Sequence, residues 1–171
     1  MKISIDIAIG LDPGATTGLG IYLAQEKRLE LVMGKTFWEV HSFLKGWLKM
    51  NVGEDQVVGF VVEDSRKDNV VFGAMGTYAA VKKRGGHQRA IGAATKQARN
   101  VGKVDAHCDL WIDWIETMEY PLQTVAPSSR KKGIDLKLSS DKFNKITKYE
   151  NKTNEHGRDA AMLVWKRKYL I

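Results

Sequence analysis

The sequence predicts an α/β fold: a mixed five-stranded sheet, with three antiparallel strands followed by two parallel ones, flanked by helices. Apolar and polar residues alternate over residues 3–11, which predicts a first strand that carries Asp12 at its end. Two short apolar segments, 19–24 and 29–34, are joined by a charged turn and complete an antiparallel meander. Helical spacing over 37–50 then predicts a helix that covers this sheet.

The fourth strand follows from an apolar run. Residues 57–62 are all apolar except for one glycine, which is typical of a strand buried on both faces, and they lead into Glu63 and Asp64. Because successive strand residues face opposite ways, Asp64 is expected to point away from Glu63 into solvent. The connection 65–86 is rich in charges and glycines, so we expect an exposed, mobile loop in which the basic run 82–86 ends any helix.

The C-terminal half predicts helices around one short strand. Helical spacing recurs over 87–119 with two glycines inside it, which predicts one long helix or two shorter ones. Residues 122–126 predict the fifth strand. Helical spacing returns from about residue 139, and a final helix is expected over 155–168. No repeat or linker divides the chain, so we expect a single domain over residues 1–171.

Composition limits the classes of function. The chain has 171 residues, 43% hydrophobic and 27% charged, which is ordinary for a globular protein. Its net charge of +7 favours a polyanionic partner without choosing between DNA, RNA and the ribosome. The single cysteine, Cys108, excludes an internal disulfide and a zinc ribbon. With no signal peptide or apolar membrane-spanning run in the sequence, we expect a cytoplasmic protein that does not bind a membrane.

Metal-ligating side chains occur where predicted elements begin or end. Asp12 ends the first strand and Glu63 ends the buried fourth strand, while His156 and Asp159 lie one turn apart on one face of the last helix. Carboxylates of this kind suit Mg²⁺. If the four side chains converge, two bound ions would activate a water and stabilise the leaving oxygen of a phosphodiester. The pattern therefore predicts hydrolysis of a nucleic-acid backbone.

The order of these motifs resembles the RuvC family of Holliday-junction resolvases, which have an RNase H-like fold. The resemblance runs from Ile9 to Trp165, through DPG-x-x-x-G, the strand-ending glutamate, a long helix with glycine and arginine, A-P-x-x-x-K and H-x-x-D-A. It implies that Asp12, Glu63, His156 and Asp159 are the four catalytic metal ligands, with Asp12 shared between two Mg²⁺ ions.

The same resemblance implies the substrate and the partners. It implies a Mg²⁺- or Mn²⁺-dependent, structure-selective endonuclease that resolves four-way junctions, and three-way or flap DNA as well, as a homodimer. Lys131 and Lys142 fall where the family carries catalytic basic residues beside the cleaved phosphate. Phe72 and Tyr78 are both candidates for the aromatic that wedges into the junction. Short, divergent relatives of this kind are typical of bacteriophages, so the expected setting is a bacterial or phage-infected cytoplasm.

Basic side chains that flank the proposed cleft are expected to contact DNA phosphates. These residues are Lys82, Lys83, Arg84, Arg89, Arg99, Arg130 and Lys132. Salt should weaken such binding steeply, because phosphate neutralisation releases counterions.

Several of these features also have simpler interpretations. Asp-Pro-Gly is a common turn, and His156 with Asp159 could be an ordinary helix N-terminal pair. The segment 105–109 contains two aspartates, a histidine and Cys108, but they lie too close together on one helix to form a metal site. Trp111 and its helical neighbours are expected in the core or in a dimer interface.

Two other functions remain open. The segment DPGATTG also resembles the phosphate-binding hairpin of sugar kinases and actin-like ATPases, which need a second domain that 171 residues do not supply. An RNA-processing nuclease of the same fold, like the YqgF-like proteins, is the other alternative. The acidic residues and the lysine-rich segment after Pro127 favour an active nuclease over an inactive module.

Overall fold

The fold is described from a computed structural model for residues 3–67, 74–127, 138–167 and 169–170. Its strands are β1 (Ile3–Ser4), β2 (Ile7–Asp12), β3 (Thr17–Leu23), β4 (Arg28–Lys35), β5 (Val58–Glu63), β6 (Leu122–Val125) and β7 (Tyr169–Leu170). Its α-helices are α1 (Phe37–Asn51), α2 (Ala74–Gly85), α3 (His87–Thr117), α4 (Ser140–Thr147) and α5 (Glu155–Val164).

Five strands form the central sheet in the order β4-β3-β2-β5-β6. The meander of β2, β3 and β4 is antiparallel, and β5 and β6 add to it as parallel strands. This confirms the predicted mixed sheet and is compatible with an RNase H-like fold. In the parallel pair, Leu11 lies opposite Val62, so the next residues of β2 and β5 end at the same edge of the sheet.

The two faces of the sheet bury separate apolar cores. On one face, Ala8, Tyr22 and Val61 pack with Phe143 of α4 and Ala161 of α5. The other face packs against α1 and the C-terminal part of α3, and its core includes Ile9, Leu11, Phe60, Val62, Leu44, Trp111 and Ile115. Since side chains alternate along a strand, the residues next to Leu11 and Val62, Asp12 and Glu63, face the α5 side.

Helices α2 and α3 pack along each other as a helical hairpin, which we call the arm. Helix α3 has 31 residues, and its only buried residue before Cys108 is Ala90. A helix of this length extends for about 46 Å, which is more than the central sheet needs to cover. The N-terminal part of α3 is therefore supported by α2, while its C-terminal part anchors the arm to the sheet.

Three predicted boundaries are wrong. The first strand is two strands, because Ile3–Ser4 pairs with Tyr169–Leu170 instead of with the central sheet. The connection 65–86 is not a loop throughout, because Ala74–Gly85 form α2; the predicted helix break in the run 82–86 is present at Gly86, which turns the chain with a φ of 81°. The last helix ends at Val164, because Lys166 adopts a left-handed φ of 59°.

None of the helices within the described ranges is long and apolar enough to cross a bilayer.

Candidate functional site

The site begins with two carboxylates on neighbouring strands. The parallel register of β2 and β5 sets Asp12 beside Glu63, and parallel neighbours are about 4.8 Å apart. Both residues end their strands and face α5. Glu63 is buried, and the side chain of Asp12 is 14% exposed. Two acids are therefore held side by side at one edge of the sheet, as the sequence predicts.

Helix α5 lies unusually close to the sheet above these acids. A Cβ added at Gly18 would lie 2.0 Å from the carbonyl oxygen of His156, and one added at Gly20 would lie 2.3 Å from the Cα of Ala161. Only glycine leaves room for a helix backbone at this distance. The glycines of β3 therefore set the distance between α5 and the sheet. The sequence analysis missed this role, although the glycines occupy alternate positions of the strand in the sequence.

The first turn of α5 is tied to the sheet by its N-cap residue. The side-chain oxygen of Asn154 accepts a hydrogen bond from the backbone N–H of Gly157 at 2.8 Å. Its side-chain nitrogen donates to the backbone carbonyl of Gly34 in β4 at 3.0 Å. One side chain thus caps the helix and fixes its start against a strand, which orients His156.

His156 reaches the first of the two acids. Its Nδ1 atom lies 3.4 Å from Oδ2 of Asp12, a weak contact at the long end of the hydrogen-bond range. Asp159 is half-buried one turn further along the same helical face. The positive end of the α5 dipole also favours negative charge at this edge of the sheet. Residues from β2, β5 and α5 therefore meet at one place.

The four predicted ligands do not form a closed metal site. Within the part of the chain that the structure describes, no three His, Cys, Asp or Glu side chains are grouped so that they could hold a metal ion. The contacts that place these residues are the Asp12–Glu63 register and the Asp12–His156 contact. The donor set itself, three carboxylates and an imidazole on the strand ends and α5, has the chemistry that Mg²⁺ and Mn²⁺ accept.

Asp64 has a structural role that contradicts its expected exposure. It is only 5% exposed, and its carboxylate accepts hydrogen bonds from Nε of Arg66 at 2.8 Å and from Nη2 at 3.1 Å. These bonds lower the pKa of Asp64 against the opposing effect of burial. Arg66 also forms an ion pair with Asp109 of α3. The prediction of a solvated Asp64 was wrong because α3 packs over the end of β5, while Arg66, two residues further along the chain, supplies the charged partner.

The polar residues of 105–109 each have a different partner. Asp105 accepts a hydrogen bond from the hydroxyl of Ser65 at 2.8 Å. His107 Nδ1 lies 2.7 Å from the carbonyl oxygen of Gly14, in the loop that follows Asp12. Cys108 is buried, which raises the pKa of its thiol, and its Sγ contacts the carbonyl oxygen of Glu63 at 3.6 Å. Helix α3 therefore supports the backbone around both acids.

The predicted DNA-binding residues divide between the arm and segments outside the described residues. The exposed ones on the arm are Lys82, Lys83, Arg84, Arg89 and Arg99. Lys142 is exposed in the first turn of α4, which packs against α5. The predictions for Phe72, Arg130, Lys131 and Lys132 lie outside the described residues.

Tyr78, the other candidate for the junction-wedging aromatic, lies within the arm. Its hydroxyl is 2.8 Å from Nδ1 of His87 in α3, and Lys82 Nζ lies 5.6 Å from the centre of its ring. The ring is half-buried. Tyr78 therefore joins the two helices of the arm in this structure.

Comparisons with family models and with curated proteins find no match for this chain. The motif order and the geometry of the sheet edge are the observations that bear on its function.

Proposed function

We propose that this protein is a metal-dependent, structure-selective endonuclease of the RuvC type that cuts branched DNA. The observation that carries the proposal is the edge formed by β2, β5 and α5. There, Asp12 and Glu63 end neighbouring parallel strands on one face, and His156 is in contact with Asp12. Three separated segments thus bring metal-ligating side chains to one place, which a simple Asp-Pro-Gly turn does not require.

The residues have distinct roles in this proposal. Asp12, Glu63, His156 and Asp159 would hold Mg²⁺ or Mn²⁺, which when bound activates a water and neutralises charge on the cleaved phosphodiester. The strand spacing of about 4.8 Å would keep the Asp12 and Glu63 carboxylates within reach of one shared cation. Lys142 and Lys131 would stabilise charge on the phosphate or orient it.

The arm extends this function to DNA recognition. Its exposed lysines and arginines would contact phosphates of the duplex branches, which agrees with the net charge of +7. A homodimer, which the resemblance implies, would present two sites to symmetric strands. Light scattering during gel filtration tests the proposed homodimer, and a strictly monomeric protein would contradict it.

The central test is cleavage of branched DNA by matched variants. Asp12→Asn should abolish Mg²⁺-dependent cleavage of four-way, three-way and flap DNA while junction binding is largely kept, because it removes a ligand charge without changing shape. Asp55→Asn is the matched control: Asp55 is exposed in the turn before β5, at the opposite end of that strand from Glu63. Full cleavage by Asp12→Asn would contradict the proposal.

Two further arms of the assay separate the alternatives. EDTA should stop cleavage and added Mg²⁺ or Mn²⁺ should restore it, because the proposed ligands act only through a cation. An RNA hairpin tests the RNA-processing alternative: cleavage of RNA in preference to branched DNA would favour a nuclease of the YqgF type. ATP hydrolysis lost in Asp12→Asn would instead favour the phosphotransferase alternative.

A further inference from the structure

Trp38 is an exposed aromatic at the site end of the sheet. Its residue surface is 70% exposed, whereas tryptophan is usually largely buried. The ring stands edge-on against Phe37 at 5.0 Å and against His41 at 6.1 Å, measured between ring centres. The Trp38 ring therefore packs against two other rings while most of its surface remains exposed to solvent.

The backbone that carries Trp38 is fixed by a capping box. The hydroxyl of Thr36 accepts a hydrogen bond from the backbone N–H of Glu39, and the Glu39 carboxylate accepts one from the backbone N–H of Thr36. Trp38 lies between these two residues, in the first turn of α1. Because this backbone is already fixed, the Trp38 ring loses little conformational entropy when a flat partner binds to it.

Two lysines continue the exposed stripe that begins at Trp38. At about 100° per residue, Lys45 and Lys49 each lie within about 20° of Trp38 around α1. Along the helix axis they are about 10.5 Å and about 16.5 Å from it. Both are exposed, and the only acidic residue in α1 is Glu39, which is engaged in the capping box. The stripe therefore combines one flat apolar surface with two positive charges in line.

The stripe starts near the proposed cleavage site. Gly18 pairs with Asp12 on one side and with Gly34 on the other, so Gly34 is about 10 Å from Asp12 across two strand spacings. Helix α1 begins three residues after Gly34, on the sheet face opposite to the Asp12 and Glu63 side chains. It reaches the site end of the sheet through Phe37, whose ring centre is 5.5 Å from that of His107, and His107 contacts the carbonyl oxygen of Gly14 in the loop after Asp12. A strand that passes from the acids to Trp38 therefore crosses over this end of the sheet. A nucleic-acid strand that advances about 3.4 Å per nucleotide covers this separation within a few nucleotides.

We infer that Trp38, Lys45 and Lys49 form a track for an unpaired DNA strand that leaves the cleavage site. Trp38 stacks on an unpaired base a few nucleotides from the cut, and the two lysines bind backbone phosphates of the same strand. Stacking on an aromatic ring is tolerant of sequence because every base has a π-face. The inference rests on the proposed function, which supplies branched DNA as the ligand, and such a track would favour a branch with an unpaired strand over a continuous duplex.

The test compares binding to a flap DNA with an unpaired tail and to a blunt linear duplex, by fluorescence anisotropy in EDTA so that no cleavage occurs. Trp38→Ala should weaken flap binding about tenfold, and Trp38→Phe should keep most of the affinity. Blunt-duplex binding should be unchanged. Met50→Ala is the matched control, because Met50 is 78% exposed on the same helix but lies about 120° away from the stripe.

The lysines are tested by salt dependence. Replacing Lys45 and Lys49 together by Gln should reduce the slope of log K against log salt on the flap DNA by about 1.4, for two phosphates of a single strand. Lys27→Gln is the control, because Lys27 is exposed in the β3–β4 turn at the opposite end of the sheet. An unchanged slope in the double variant would remove the lysines from the track.

The outcomes separate this inference from the proposed function. If wild-type protein binds and cleaves flap DNA and Trp38→Ala binds it equally well, the track is refuted and the nuclease proposal stands. An equal loss on flap and blunt DNA refutes the track as well. If the stripe variants lose flap binding but wild-type protein cleaves nothing with Mg²⁺, the track stands and the nuclease proposal fails. If wild-type protein binds neither DNA, both fail.

Discussion

Replacing Gly18 by alanine tests whether the close approach of α5 builds the site. The added Cβ would lie 2.0 Å from the carbonyl oxygen of His156, 2.5 Å from its carbonyl carbon and 3.1 Å from the Cβ of Ala160. Two of these atoms are backbone and cannot rotate away. The φ of Gly18 lies outside the left-handed region, so alanine adds only a steric conflict.

The size of the effect follows from the geometry. An ordinary Cβ contact begins at 3.4 Å, so the first turn of α5 must withdraw by about 1.4 Å. Overpacking of this kind costs up to about 3 kcal/mol, and we expect the upper end because a backbone atom is hit. His156 would move away from Asp12, and a displacement near 1 Å reduces activity about 100-fold in other active sites. Both losses should therefore appear together.

The assay is urea denaturation combined with cleavage of flap DNA. Gly46→Ala is the matched control, because nothing lies within 4 Å of its added Cβ in the middle of α1. That change should stabilise the protein by about 0.5–1 kcal/mol. An unfolding midpoint of Gly18→Ala equal to that of wild type would refute the steric argument. If the variant loses stability but keeps full cleavage activity, cleavage does not depend on the distance between α5 and the sheet.

Two further predictions concern Arg66 and Cys108, which lie next to the acids but are not proposed metal ligands. Arg66→Gln should lower the free energy of unfolding by about 2 kcal/mol near neutral pH, because it leaves the buried Asp64 carboxylate without its charged partner. Because folding lowers the pKa of Asp64, the stability that Arg66 contributes is fully present above the ordinary pKa of an aspartate and is lost as the pH falls through the pKa of the folded state. The difference in unfolding free energy between Arg66→Gln and wild type should therefore narrow below about pH 4. A difference that stays constant in acid would contradict this reasoning. Cys108 should resist Ellman's reagent in the native protein and react fully in urea, because burial raises the pKa of its thiol and excludes the reagent. Rapid native labelling would show that α3 does not stay packed against β5.

Local patterns are sufficient to predict most of the elements. Alternation, apolar runs and helical spacing give the meander, α1 at 37–50 against the observed Phe37–Asn51, and the buried strand that ends at Glu63. The helix break predicted in the run 82–86 is present at Gly86, which has a positive φ, but the residues before it, predicted as a loop, form α2. Sequence composition suggested a loop there, whereas packing of α2 against α3 maintains the helix.

The burial of each acid could not be predicted from its neighbours in sequence. Glu63 and Asp64 are adjacent and both are buried, yet Asp64 faces Arg66 while Glu63 lies beside Asp12. The burial of Asp64 depends on α3, whose Asp109 shares Arg66 with it. Contacts between residues more than 40 positions apart leave no periodic signal in a single sequence.

The sequence by itself determined which residue types stand at the strand ends and on the last helix, because period-two and period-3.6 patterns are local properties of the chain. The tertiary structure alone decided their spatial relation. Parallel pairing of β2 with β5 set Asp12 beside Glu63, and the glycines of β3 allowed α5 close enough for His156 to contact Asp12. Register and helix height arise from packing between distant segments, which only the folded chain specifies.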